Sequence, residues 1–263
     1  MVKRIILLVI GLYILFLVGF YLFQEKVIFR PKKLANNYIY SFDKEFEEVN
    51  LKTDDNSIIN ALHFKVKNPK GIIIYYHGNK GNLKRWAPMV SPFTEYGYDV
   101  FVMDYRGYGK SNGERNEKNL YSDAQLCYKY VKQFFDEKNI IIYGRSLGGT
   151  FATYVSSQNN PKQLILEAPF YNLTDLSNRK FTFLPYKNLL KYKFNSNEFI
   201  KDIKCPVTIF HGDEDRLIPL KSGQKLYEAS NKDRAKFVII KNGTHHNLMT
   251  FDLYKENIAT LLK

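Results

Sequence analysis

The chain opens on an apolar run, Ile5 to Phe23, that carries no charge and is interrupted only by two glycines and two tyrosines. As a helix it would be about 28 Å long at 1.5 Å per residue, close to the thickness of bilayer hydrocarbon. The run is apolar on every face rather than striped, which sets it apart from the core helix of a soluble domain. It is longer than the core of a signal peptide, and neither a small-x-small cleavage site nor a lipid-accepting cysteine follows it. The pattern therefore predicts an uncleaved N-terminal transmembrane helix over about residues 5–23, within an anchor segment 1–30. Lys3 and Arg4 precede the run and Lys26, Arg30, Lys32 and Lys33 follow it, so charge balance gives no orientation.

Beyond the anchor, residues 31–263 read as one α/β domain. Glu45–Lys52 and Ile58–Lys67 alternate polar and apolar positions around Asp54-Asp55-Asn56, as an antiparallel hairpin does. Short, wholly apolar runs follow at Ile72–Tyr76, Val100–Met103, Ile140–Tyr143, Leu164–Leu166, Val207–Phe210 and Phe237–Ile240. Runs of this kind belong to strands covered on both faces. Helix-length stretches separate them at Lys84–Tyr96, Glu117–Phe135, Leu147–Gln158, Lys221–Ser230 and Asp252–Leu262. The alternation predicts a mostly parallel, doubly wound sheet with functional residues at the carboxyl ends of its strands. One connection is too long for a loop. Residues 169–205 are rich in aromatics and lysine, including Phe170, Tyr171, Phe181, Phe183, Tyr186, Tyr192 and Phe194. They form a cap insertion where a cover over a site would lie.

Composition narrows the classes. A chain 45% hydrophobic and 16% aromatic has a substantial core and lacks the signature of disorder. The net charge of +13 comes from lysines scattered along the whole sequence. With no zinc-finger spacing, RNP-like sequence or basic heptad region beside them, nucleic acid is not an expected partner. The two cysteines, Cys127 and Cys205, read as small buried hydrophobes.

The chemistry concentrates after the third apolar strand, in Gly144-Arg145-Ser146-Leu147-Gly148-Gly149. Gly-x-Ser-x-Gly between a strand and a helix makes a sharp turn that exposes a serine hydroxyl, provided small residues on either side let the two elements approach. A serine needs a base to take its proton and a third group to orient that base. Acids follow the Val207–Phe210 strand, in His211-Gly212-Asp213-Glu214-Asp215, and histidines follow Phe237–Ile240, in Gly243-Thr244-His245-His246-Asn247. The chain order Ser, Asp, His is the required one.

Five ordered stretches resemble the membrane-anchored branch of the α/β-hydrolase superfamily, near the depalmitoylase-like and serine aminopeptidase-like proteins. They are His77-Gly78-Asn79-Lys80-Gly81-Asn82, Asp104-Tyr105-Arg106-Gly107-Tyr108-Gly109-Lys110-Ser111, the Ser146 turn, His211-Gly212-x-x-Asp215 with Pro219, and Gly243-x-x-His246-Asn247. The anchor followed by Gln24-Glu25-Lys26-Val27-Ile28-Phe29-Arg30-Pro31 resembles that branch as well. The resemblance implies an α/β-hydrolase fold with Ser146 as nucleophile, Asp215 as orienting acid and His246, three residues after Gly243, as base. His245 stays open as the alternative base, and Asp213 becomes a surface neighbour. Backbone amides of Leu147 and Asn79 would form the oxyanion hole. Asp104 and Arg106 are read as fixing their loop by hydrogen bonds, and His63 as structural.

No cofactor is implied. A metal reading of His211-x-Asp213-x-Asp215 is set aside because the histidine is needed for packing at a strand end, and the glycine turn after His77 lacks a Walker Lys-Ser pair. The expected activity is hydrolysis of an ester or thioester on a lipidic or acylated substrate. A serine aminopeptidase and an inactive membrane scaffold are the alternatives. Because no expected site residue precedes His77 and the sheet looks complete without residues 1–30, that segment is expected to supply location only.

Overall fold

The computed structural model describes residues 1–179 and 184–263; the cap aromatics Phe181 and Phe183 lie outside them. Helix α1 runs over Val2–Ile28, longer at both ends than its apolar core. It is long and apolar enough to cross a membrane, and no residue of its apolar window is buried by the rest of the chain. A short strand β1 (Arg30–Pro31) leads through an irregular stretch to the hairpin β2 (Phe46–Lys52) and β3 (Ile58–Phe64). Strand β4 (Ile72–Tyr76) is followed by a two-residue strand β5 (Lys80–Gly81) and helix α2 (Leu83–Val90). Then come β6 (Asp99–Met103), α3 (Glu117–Val131), β7 (Ile140–Arg145), α4 (Gly148–Gln158) and β8 (Gln163–Glu167).

Among the described residues, the long connection after β8 carries three short helices, α5 (Leu173–Asn178), α6 (Tyr186–Leu189) and α7 (Ser196–Phe199). Strand β9 (Val207–Gly212), helix α8 (Leu220–Ala229), strand β10 (Ala235–Ile240) and helix α9 (Asp252–Leu261) complete the chain.

Eight strands form the main sheet in the order β10-β9-β8-β7-β4-β6-β3-β2. β2 and β3 pair antiparallel, β3 joins β6 antiparallel, and the other pairs are parallel. The apolar runs within β4, β6, β7 and β8 follow from their position, since every residue of these strands is buried. One core face gathers Ile72, Ile74, Tyr76, Ile142, Leu164 and Phe151. The other gathers Ile73, Tyr75, Ile141, Ile165, Trp86 and Phe210. Alternate residues of one strand thus feed opposite layers.

The stretch read as one helix over 84–96 is divided. α2 stops at Val90, and a 3₁₀ segment occupies Ser91–Tyr96 with Pro92 at its start. Proline favours a first-turn position because its missing N–H is not needed there.

The larger difference lies at the end of α1. The helix passes without a linker into the domain. Phe29 is 2% exposed and sits edge-on to Tyr192 and Phe194, with the Arg115 guanidinium over its ring. β1 pairs in parallel with β5, matching Arg30 to Lys80 and Pro31 to Gly81. Gln24, also 2% exposed, accepts from the Lys191 amide at 2.8 Å and donates to the Leu189 carbonyl at 3.1 Å. Leu17 and Phe20 pack on the cap cluster Leu184, Tyr186 and Leu190. Residue 30 therefore lies inside a packed junction between α1, the cap and the turn after β4. The cause is local: a buried amide and a buried ring close together turn the last helical turns into core. Phe29→Ala in the full-length chain is expected to lower unfolding free energy by about 3–5 kcal/mol, as for other buried phenylalanines. Denaturant titration of the detergent-solubilised protein, set against Phe23→Ala on the exposed face of α1, measures the difference.

Candidate active site

Ser146 lies between the end of β7 and the start of α4 with φ of +54°, in the left-handed region that non-glycine residues seldom occupy. Such strain persists where surrounding contacts over-determine it. Here the Ser146 amide donates to the Glu167 carbonyl of β8 at 2.8 Å. On either side, side chains have no room. A Cβ on Gly148 would lie 1.8 Å from the Tyr76 carbonyl oxygen, and one on Gly144 would lie 2.5 Å from the Ala152 methyl. The two glycines let α4 start directly against the end of β4, which leaves the serine at the crest of the turn.

The hydroxyl of Ser146 is 3.0 Å from Nε2 of His245, and Nδ1 of His245 is 2.7 Å from Oδ2 of Asp215. Asp215 is seated after β9, where its other oxygen accepts from the Leu217 and Ile218 amides at 2.9 and 2.8 Å. Burial alone would raise the Asp215 carboxyl. The hydrogen bond and charge of His245, with the Ile218 amide, outweigh it and hold the group below the usual carboxylate range. His211 is wholly buried beneath, bonded to the Ile218 carbonyl at 2.7 Å, with its ring against Gly223. Burial pushes its pKa down, and it packs a strand end.

The structure thus corrects the histidine. His246, the base expected from the register after Gly243, is exposed, and it is His245 that lies between Ser146 and Asp215. The reason is a tight turn in which Asn247 Oδ1 accepts from both the amide and the hydroxyl of Thr244, at 2.7 and 2.9 Å. It turns position 245 inward. Arg145 then grips the His245 carbonyl at 3.2 Å. Asp213 instead accepts from the Asn242 amide in the adjacent loop.

Asn79 follows β4, and the glycine before it brings this turn against the serine: a Cβ on Gly78 would lie 3.7 Å from that of Ser146. The amides of Asn79 and Leu147 have no backbone partner among the described residues. Asp104 accepts from the Leu83 amide and sits 3.2 Å from His77 Nε2, and Arg106 is paired with Asp123 and Asp55. These charges hold loops. His63 bonds Asp99 inside the sheet at 2.8 Å.

Sequence reasoning missed the polar cluster behind the serine. Arg145 and Glu167 form a buried ion pair at 3.2 Å, Tyr143 donates to Glu167 at 2.7 Å, and Tyr254 of α9 meets the Tyr143 hydroxyl. The signal was a charge directly before Ser146 and another at the end of a neighbouring apolar strand.

A mostly parallel eight-stranded sheet with a strained serine turn after its central strand, an acid after a later strand and a histidine after the last defines a class. The chain belongs to the α/β-hydrolases. Residues 67–199 match the family model described as serine aminopeptidase, S33. Protein bem46 of Schizosaccharomyces pombe is 28% identical over 84% of this chain and 78% of its own. An uncharacterized protein of Acanthamoeba polyphaga mimivirus, R595, is 30% identical over 80% and 79%. The lysophosphatidylserine lipase ABHD12 of Danio rerio is 30% identical over 62% of this chain but only 48% of its own length. Among solved structures, the Pyrococcus furiosus esterase Pf2001 superimposes with a TM-score of 0.70 at 22% identity, covering 89% of this chain and 98% of that one. That likeness bears on the fold.

Removing one partner of a buried ion pair leaves the other uncompensated, at a cost of about 3–5 kcal/mol. Arg145→Met is expected to destabilise the chain by that amount, read from the shift in denaturant midpoint, with Arg145→Lys intermediate.

Proposed function

We propose that this α/β-hydrolase cleaves an ester or thioester by acyl transfer to water, with Ser146 as nucleophile, His245 as general base and acid, and Asp215 as the group that orients His245. The observation that carries the reading is the unbroken hydrogen-bond series from Ser146 Oγ through both ring nitrogens of His245 to Asp215. With its Nδ1–H donating a hydrogen bond to Asp215, His245 presents a lone pair at Nε2 to the serine proton. As Oγ attacks the acyl carbonyl, the proton passes to Nε2 and negative charge collects on the carbonyl oxygen. The Leu147 amide at the start of α4 and the Asn79 amide supply donors for that charge. Collapse expels the leaving group, which takes the proton from Nε2. Water, deprotonated by His245, then releases the acid and restores the serine.

A lipidic or acylated substrate fits a hydrolase whose cap cluster packs on the apolar helix α1. We assign α1 as a membrane anchor, and a relative named for its action on a lysophospholipid is consistent with it. The family description favours one other reading, an aminopeptidase on the same machinery. Turnover of aminoacyl amides in preference to acyl esters would mark it.

Ser146→Ala is expected to abolish labelling by a fluorophosphonate probe in folded protein. His245→Ala and Asp215→Ala are each expected to lower kcat on a short acyl ester by on the order of 10⁴-fold, while His246→Ala stays within about tenfold of the parent. Persistent labelling of folded Ser146→Ala, or a collapse of kcat in His246→Ala with His245→Ala spared, would overturn the assignment.

A further inference from the structure

The side-chain Nδ2 and the backbone carbonyl of Asn79 are both taken up by elements remote from the reaction. Its side-chain Nδ2 donates to the carbonyl of Ile28, the last residue of α1, at 3.0 Å. Its own carbonyl accepts from the amide of Arg30 at 2.9 Å and from the hydroxyl of Tyr108 at 2.7 Å. The chain leaving the membrane helix therefore holds Asn79 from both ends. The next residues are bound the same way: β1 runs alongside Lys80 and Gly81, the Lys32 amide donates to the Gly81 carbonyl at 2.9 Å, and the Asn82 side chain donates to the Lys32 carbonyl at 2.8 Å. On the far side Trp86 donates to the Lys80 carbonyl at 2.9 Å and stacks on His77.

Only one backbone group of Asn79 is left over, its amide, the donor proposed above for the oxyanion. The junction is itself rigid, because Phe29 between the two contacts is buried and extended, with φ −111° and ψ 130°.

We infer that the Ile28–Arg30 junction, together with Tyr108, is a positioning device for the oxyanion amide of Asn79, so that the seating of α1 sets the geometry of the transition-state pocket. The inference rests on the reading of Ser146 and the Asn79 amide given above. None of the three contacts touches substrate. They hold the side chain of Asn79 and the peptide plane that follows it, and so fix the Cα from which the donor amide is aimed; donor placement decides how much a developing oxyanion is stabilised. A displacement of about 1 Å in such a group costs up to about 100-fold in rate.

The test uses the full-length chain in detergent micelles, with p-nitrophenyl butyrate as substrate and an alkyl trifluoromethyl ketone as probe. The ketone adds to the serine to form a hemiketal oxyanion, so its affinity reports the donors directly. Asn79→Ala removes the bond to Ile28 but keeps the backbone amide. Tyr108→Phe removes a bond to the Asn79 carbonyl. Each is expected to lower kcat about 10-fold, and the pair about 100-fold, with KM within about twofold and the ketone weakened in step with kcat. Arg30→Pro removes the remaining amide at a site whose preceding residue already has the extended backbone that proline requires, and is expected to behave like Tyr108→Phe. Parent-like kcat and ketone affinity in the folded double variant would overturn the inference. So would a fall in both that merely follows the fraction of unfolded protein measured by thermal melting. Ser146→Ala run beside them separates the two levels. Its full loss of turnover alongside junction variants of parent-like kcat rejects the positioning role alone, and its continued turnover rejects the Ser146 reading beneath it.

Discussion

The site is organised around a backbone contact between helix α4 and strand β4. The helix begins so close to the Tyr76 carbonyl that position 148 has no space for a side chain. This approach leaves the intervening turn too short for ordinary dihedral angles, and Ser146 takes a left-handed conformation at its apex. What anchors the strain is the sheet on both sides: β7 is flanked by β4 and β8, both in parallel register and fully buried. Central placement in the sheet is therefore part of the chemistry. A serine on an edge strand would lack the neighbours that keep its turn from relaxing.

Behind that turn the interior is unusually polar. Arg145 and Glu167 pair with almost no exposure, and tyrosines from β7 and α9 close round them. A buried ion pair contributes little net stability once desolvation is counted, and its worth lies in what it fixes. Here one end of the guanidinium holds the His245 carbonyl while the other is tied to the strand beside the serine. Two loops from distant parts of the sequence are thereby indexed to one another across the sheet.

How much of this could be read in advance follows from how local each signal is. Buried parallel strands announce themselves as runs such as Ile140–Tyr143, and the glycines around Ser146 mark the turn, because both depend on neighbours in sequence. The acid was legible for the same reason, since Asp215 caps its own turn through the Leu217 and Ile218 amides. The choice between His245 and His246 was not. It is set by the Thr244–Asn247 turn acting with Arg145 from another strand, and a family register offset by one residue cannot see that. Similarly, the apolar run of α1 hid its docking. Gln24 is the first polar residue after the apolar run, and only its burial against Leu189 and Lys191 shows that the helix end packs on the cap.

That docking removes a degree of freedom. A catalytic domain on a flexible linker sweeps a volume above its attachment point and samples many tilts. Here Gln24 and Phe29 fasten the end of the helix to the cap, and the β1–β5 pairing fastens it to the turn after β4, so helix and domain meet without a free linker. With the helix seated in a bilayer, the mouth over Ser146 would stand at one height and one inclination. Selectivity could then be geometric as well as chemical: scissile bonds carried at that depth would meet the serine, and identical bonds higher or lower in the same membrane would pass it by.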